Sequence, residues 1–332
     1  MRLSAIATGL AAALIAFTSG CSKKNEVWVY TSVYKETIEE IRDKLRKDLP
    51  GIEVQFFQGG SEIVASKVNA ELASGRSKAD ILLTSDPFWY LELKRAGKLL
   101  PYQSPAAGAV PREFSDPDFA YVCNRIPVMV MGYNSEALKP NDLPMRWKDL
   151  TLPKWKDKVT MGNPLESGTN FTAVAFLANT YGWEFFQGLR HLNVLASGGN
   201  SSVITRMETR ERPLGVVLLE NILKAWSKGS PVRPIYPLDG VIAIPSPIAI
   251  MKDTPNPEAA KKVYDWFFTS YAQNAIVRSG MYSPLPHIVQ PEKGRPWAEV
   301  RSQMMQWNPE ILASILDKRD GIKNRFAEVV LR

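Results

Sequence analysis

The amino-terminal third of the chain repeats one pattern three times: an apolar strand-like run, a short loop of hydroxyl or glycine residues, and a helical run. The pattern predicts strands at 27–30, 52–57 and 79–83 and helices at 35–48, 62–74 and 88–96. Such alternation indicates an α/β fold with a parallel sheet, in which ligands bind beyond the carboxyl ends of the strands. The loops that follow these strands are therefore candidate binding loops.

A similar unit recurs in the second half of the chain, in the run VTMGNPLESGTNFT at 159–172. Val159 begins a strand-like segment, Gly162 ends it, and the Ser167 to Asn170 run leads into an apolar helix. Free backbone N–H groups and hydroxyls at a helix start suit an anion. The alternative is that Ser167, Thr169 or Asn170 only caps the helix, which such residues commonly do.

The first segment has the features of an export signal. A basic start at Arg2 precedes an apolar run over 5–17, which is too short to span a bilayer as a stable anchor, and Cys21 follows. This order resembles a bacterial lipoprotein signal, which predicts cleavage before Cys21, a lipid on its thiol, and a polar tether over 21–26. An ordinary secretory signal is the alternative.

Composition excludes several classes of protein. The chain of 332 residues has 41 basic and 34 acidic residues, and the basic ones are interspersed with acidic ones, so nucleic acid is not indicated. With Cys21 lipidated, Cys123 has no partner for a disulfide and is predicted to be a buried filler. His191 and His287 lack partners at ligand spacing, and no nucleophile or phosphate-loop motif is present, so we predict neither an enzyme nor a metal or cofactor site.

Five segments in order resemble one protein family. They are the run from Val27 to Ser61, KADILLTSD at 78–86, GYNSEAL at 132–138, NPLESGT at 163–169 and the helical run at 256–280. The chain resembles the type II periplasmic solute-binding proteins of ATP-driven importers. Within them it is most similar to the branch that holds ferric-iron, 2-aminoethylphosphonate and hexose-phosphate binders.

The resemblance implies a two-lobed "Venus flytrap" with two hinge crossings, near 125–133 and 242–250. Lobe one would comprise 27–127, lobe two 128–245, and the chain would return to lobe one and end in helices over 246–332. Residues 1–20 would be the signal. The resemblance also implies a membrane permease as partner. We expect a monomer that meets the membrane only through the lipid on Cys21.

Five loops of hydroxyl and glycine residues converge on the presumed cleft in this arrangement, and their N–H groups and hydroxyls suit a phosphate or phosphonate. Helix capping or turn formation is the alternative for each loop. Carboxylates at Glu220, Asp86 and Asp239 could accept hydrogen bonds from an ammonium or from sugar hydroxyls. The predicted ligand-binding residues are Thr31, Ser32, Gly60, Ser61, Ser85, Asp86, Ser167, Gly168, Thr169, Asn200, Ser201, Ser202, Glu220 and Asp239.

The ligand stays open between an aminophosphonate and a sugar phosphate, both small anionic solutes. Iron-binding relatives carry adjacent tyrosines after the buried strand, where this chain has Leu218-Leu219-Glu220-Asn221. Ferric iron is therefore the less favoured alternative. A second alternative is a sensory subunit that docks on a membrane kinase without transport.

Overall fold

Two β-sheets, each covered by helices, form the frame of the protein. The computed structural model describes residues 25–306 and 309–332. The predicted signal and Cys21 lie outside the described residues. Within the described part of the chain, no helix is both long enough and apolar enough to cross a bilayer.

The elements alternate along the chain much as the periodicity predicts. The strands are β1 (Glu26–Thr31), β2 (Glu53–Gln58), β3 (Ile81–Leu83), β4 (Leu99–Leu100), β5 (Val122–Arg125), β6 (Val128–Asn134), β7 (Val159–Met161), β8 (Leu195–Ala196), β9 (Leu214–Leu218), β10 (Val232–Ile235), β11 (Ile242–Ala243) and β12 (Ser246–Met251). The helices are α1 (Lys35–Asp48), α2 (Ser61–Ala73), α3 (Pro87–Arg95), α4 (Gly168–His191), α5 (Asn200–Glu208), α6 (Leu219–Ser227), α7 (Pro257–Trp266), α8 (Ser270–Arg278), α9 (Trp297–Ser302), α10 (Pro309–Asp317) and α11 (Arg319–Phe326). A π-helical turn at Ala327–Leu331 ends the chain.

The first sheet has the order β2-β1-β3-β12-β4, with β5 also paired to β12. The strands β1, β2 and β3 are parallel, whereas β12 runs antiparallel to β3. Helix α1 buries Ile38, Ile41 and Leu45, which recur along one face as a surface helix requires. We call this sheet, with α1 to α3, α7 and α8, lobe one.

The second sheet has the order β10-β6-β9-β7-β8, with β11 also paired to β6. Strand β7 is parallel to β8 and β9, whereas β6 is antiparallel to β9. We call this sheet, with α4 to α6, lobe two. Helix α4 buries Phe171, Val174 and Leu177 and is kinked at Gly182, where φ is +70°.

Two short segments join the lobes, at 126–127 between β5 and β6 and at 244–245 between β11 and β12. They are hydrogen bonded to each other, because the Ile244 N–H donates to the Pro127 carbonyl at 2.8 Å. Two adjacent crossings permit rotation of one lobe against the other, which is the geometry of hinge closure. The α/β fold with two lobes and two crossings is as expected.

Candidate functional site

Arg125, at the end of β5, lies at the centre of the seam between the lobes and is 1% exposed. Its Nη2 donates to Ser32 Oγ at 3.1 Å, to Ser85 Oγ at 3.0 Å and to the Leu83 carbonyl at 3.4 Å. Its Nη1 is buried and has no hydrogen-bond partner among residues 25–306 and 309–332. Burial lowers the pKa of Arg125 to about 10, so the group stays cationic at neutral pH. A positive donor therefore remains available at the carboxyl edge of the first sheet.

The lobe-one loops around this arginine are bonded to one another. Ser61, at the start of α2, accepts from the Ser85 N–H at 3.3 Å, and its neighbour Gly60 precedes the helix. The Thr31 hydroxyl donates to the Leu83 carbonyl at 2.9 Å and accepts from the Val33 N–H at 3.0 Å. Thr31 is fully buried, and its hydrogen bonds stabilise the loop that follows β1. Ser32 and Ser85 are the residues that bind Arg125.

The lobe-two loops form a matching set. Ser167 caps α4 by accepting from the Asn170 N–H at 3.4 Å, and its hydroxyl lies 3.0 Å from that of Thr169. Thr169 also accepts from Asn200 Nδ2 at 3.1 Å, and Asn200 Oδ1 accepts from the Leu218 N–H at 3.3 Å. The starts of α4 and α5 and the end of β9 are therefore joined through side chains.

The two sets of loops meet at Gly168. A Cβ on this glycine would lie 2.9 Å from the Asp86 Cβ and 3.1 Å from the Ser61 Cβ, both in lobe one. A Cβ on Gly60 would lie 3.7 Å from the Glu166 carbonyl of lobe two. The absence of a side chain at Gly168 lets the backbones approach this closely.

Other contacts cross the same seam. Phe88 of α3 and Phe171 of α4 are both buried and form an edge-to-face pair with ring centroids 5.6 Å apart. The Tyr34 hydroxyl of lobe one donates to Asn221 Oδ1 of lobe two at 2.9 Å. The lobes are in contact on either side of the Arg125 cluster.

Glu220, in the first turn of α6, is 2% exposed. Its Oε2 has no partner among the described residues. Burial raises the pKa of Glu220 to about 8, partly opposed by backbone N–H groups and by the charge of Arg125. The side-chain amide of Asn170, 1% exposed, likewise has no partner for either atom within 25–306 and 309–332.

The structure places some predicted residues outside this cluster. Asp239 binds lobe-two groups, accepting from the Trp147 N–H at 3.2 and 3.1 Å and from the Tyr181 hydroxyl at 2.5 Å, so both its oxygens are used within a surface turn. Asp86 caps α3 by accepting from the Phe88 and Trp89 N–H groups. Asp239 therefore stabilises local structure, whereas Asp86 caps α3 and also lies at the seam, next to Gly168 and Arg319.

Three of the predicted residues lie at the start of α5. Ser201 is exposed, and Ser202 is half-buried beside Gly198, which has φ of +65°. Asn200 is the one of the three that joins the Ser167 and Thr169 set.

Arg125, the central residue of this cluster, is not among the ligand-binding residues predicted from the sequence. A cation inside the apolar run from Val122 to Met131 was the available signal, because charged residues are rarely fully buried without a role. Cys123, two residues earlier, is free and buried, and burial raises its pKa to about 12. Within the described residues, no group of three or more His, Cys, Asp and Glu side chains is arranged to hold a metal.

Two α/β lobes joined by two crossings, with hydroxyls and one buried cation at the seam between them, define a two-lobed binding protein. The model of the family described as bacterial extracellular solute-binding protein matches residues 76–308, and the chain belongs to this family. Members of this family bind solutes and are not enzymes.

One curated protein and two solved structures show how similar the chain is to known proteins. An uncharacterized protein of Haemophilus influenzae is 27% identical over 288 residues, which cover 83% of this chain and 82% of that protein. The iron-bound HitA structure from Pseudomonas aeruginosa matches with a TM-score of 0.81 at 20% identity, covering 91% of this chain and 99% of that one. AfuA from Actinobacillus pleuropneumoniae, with fructose-6-phosphate bound, matches with a TM-score of 0.79 at 20% identity, covering 92% and 99%. At these identities the two structures establish the fold.

Proposed function

We propose that this protein binds a small phosphorus-containing anion between its lobes and delivers it to a membrane permease of an ATP-driven importer. The observation that carries the proposal is the unpartnered, buried Nη1 of Arg125 among the hydroxyls of Ser32 and Ser85. A phosphate or phosphonate accepts many hydrogen bonds, and a buried guanidinium binds it strongly. The loop starting at Ser167 would supply N–H groups from the other lobe.

Glu220 narrows the class of solute. Its unpartnered carboxyl oxygen is buried near Arg125. A ligand that satisfies both groups carries an anionic group and a second polar group, either an ammonium that displaces the Glu220 proton or a hydroxyl that accepts from the protonated acid. A 2-aminoethylphosphonate and a sugar phosphate both meet this requirement. We therefore propose an aminophosphonate or a sugar phosphate, as AfuA holds fructose-6-phosphate.

Ferric iron, the ligand of HitA, is the second candidate, and the tyrosines favour it less. A phenol must lose its proton to bind Fe(III) as phenolate. Burial and the nearby Glu220 raise the pKa of Tyr34, and burial and the neighbouring Tyr236 raise that of Tyr282. Both phenols are therefore protonated at neutral pH in the metal-free protein. A sensory subunit for a membrane kinase would use the same cleft and differ only in its partner.

A thermal-shift panel tests the ligand class. It would contain 2-aminoethylphosphonate, glucose-6-phosphate, glycerol phosphate, inorganic phosphate, unphosphorylated glucose and ferric citrate. A ligand raises stability by about RT ln(1 + [L]/Kd), so a compound at 100 times its Kd adds about 2.7 kcal/mol. We expect a phosphorylated or phosphonate compound to give the largest shift. Stabilisation by ferric citrate alone, with a visible charge-transfer band, would refute the proposal.

The lipid tether on Cys21 and the monomeric state are part of the same proposal. Cys21 follows an apolar export segment, and cleavage before it with a lipid on its thiol would tether the mature chain to a membrane of the cell envelope. The native protein is expected in the membrane fraction, and Cys21→Ser in the soluble fraction. Fractionation that leaves both forms on membranes would contradict the tether.

A further inference from the structure

The C-terminal segment, residues 310–332, packs on both lobes. Helix α10 lies against α3 of lobe one, while α11 and the final π-helical turn lie against α4 of lobe two. Ile315 is 3% exposed, and Phe326 is fully buried with its ring 5.6 Å from that of Phe186. The segment therefore connects the lobes by packing, in addition to the two hinge crossings.

Two cations of α11 reach across the seam to lobe one. Arg319 Nη2 lies 3.1 Å from Glu62 Oε1 and also binds Asp86, and Lys323 Nζ lies 2.8 Å from Glu62 Oε2. The side chains of Arg319 and Lys323 are only 12% and 15% exposed. Low exposure weakens solvent screening, so these pairs are stronger than ordinary surface salt bridges.

The same cations cover a lobe-two residue. The Arg319 Cζ and the Lys323 Nζ each lie 5.4 Å from the ring centroid of Phe171. Phe171 in turn packs edge-to-face on Phe88 of lobe one. The two cations therefore cover the aromatic contact between the lobes, next to Gly168 and Asp86.

Opening the cleft must break one of these two sets of contacts. If α10 stays on α3 and α11 stays on α4, the chain bends at Lys318, which lies between the two helices, and Arg319 and Lys323 leave Glu62 and Asp86. If the whole segment stays on lobe one, Phe326 leaves the buried position against Phe186. The first costs less, because ion pairs can be replaced by water whereas Phe326 would lose its whole buried surface.

We propose that residues 310–332 are a strap that holds the lobes together, and that Arg319 and Lys323 set the equilibrium between the open and closed forms. The strap goes beyond the proposed function, since it acts whatever solute the cleft binds. Release of these cations from Glu62 and Asp86 is the step that admits a solute.

A thiol-labelling experiment on ligand-free protein tests the strap. Ser61→Cys, in a Cys21→Ser background, places a thiol at the seam, where Ser61 is 6% exposed. Its labelling rate with neutral iodoacetamide follows the open population when opening is fast relative to labelling. Arg319→Met with Lys323→Met is expected to raise this rate about tenfold. Raising salt from about 0.05 to 0.5 M should speed labelling of the parent and not of the double variant.

Two controls separate opening from unfolding. Arg325→Met, on the same helix, removes an exposed cation that pairs within the segment with Glu328, and is expected to leave the rate unchanged. Buried Cys123 in lobe one should stay unlabelled in every form. An unchanged rate in the double variant overturns the proposal. A rise in Cys123 labelling also overturns it, because the segment would then stabilise the whole fold and not the closure.

Discussion

At the scale of single residues, the sequence predicts the hydroxyls of the site better than its charges. Ser32, Ser61 and Ser85 follow strands, and strand ends are visible in the local pattern. The role of Arg125 could not be predicted in the same way. Strand β12 pairs with both β3 and β5, and this pairing brings Arg125 next to the loop after β3. A contact between residues 32, 85 and 125 depends on tertiary structure.

Glu220 gives a prediction about pH. Its pKa of about 8 in the folded protein exceeds the ordinary value of 4.5, so the folded state binds a proton that the unfolded state has released. The stability due to this group is full below the unfolded pKa and is lost as pH rises through the folded pKa. We expect the free energy of unfolding of the native chain to fall, relative to that of Glu220→Gln, by at most about 1.4 kcal/mol per pH unit across this window. Urea denaturation at several pH values measures it.

Parallel pH profiles for the two proteins would show that Glu220 is solvated.

Glu220 also distinguishes an aminophosphonate from a sugar phosphate. Calorimetric titration near neutral pH, in two buffers that differ in ionisation enthalpy, measures the protons released when the ligand binds. An ammonium ligand should displace the Glu220 proton on binding. A sugar hydroxyl can accept a hydrogen bond from the protonated acid and need not displace it.

At the scale of elements, the three initial β-loop-α units were predicted within a few residues, because apolar periodicity and helix starts are local properties. The antiparallel insertion of β12 between β3 and β4 was not, since no local signal encodes the neighbour of a strand. Asp239 illustrates the same limit. It was predicted as a cleft residue from its turn, but its partners Trp147 and Tyr181 are distant in sequence.

A substitution at Gly168, at the start of α4, tests whether solute binding requires the contact between the lobes. Gly168→Ala places a Cβ 2.9 Å from the Asp86 Cβ, and overpacking of this kind costs about 1–3 kcal/mol. The clash exists only where the lobes meet, so the substitution should favour the open form, and we expect affinity for the best compound of the panel to fall about tenfold. Gly199→Ala, where a Cβ would have nothing within 4 Å, is the matched control. Equal affinities for both variants would show that the solute does not require this contact.

At the scale of the whole molecule, the family and the two-lobed architecture could be predicted from the order of five motifs. The strap could not, because Arg319 and Lys323 meet Glu62 about 260 residues earlier in the chain, and their charges resemble any solvated helix face in sequence. Hinge closure, the binding loops and the strap all act on the same seam. A solute that touches both lobes only when they meet would shift the protein toward its closed form.

Calorimetric titration of the best phosphorylated compound into the native protein and into Arg125→Met tests whether Arg125 binds the phosphorus group of the solute. Removing one partner of a buried charged hydrogen bond costs about 2–5 kcal/mol, so we expect affinity to fall about 30-fold or more. Arg233→Met, a change of a half-buried arginine in β10, should leave it unchanged. Equal affinities in the native protein and Arg125→Met, or equal binding of the compound without its phosphate, would show that Arg125 does not bind a phosphorus-containing group of the solute.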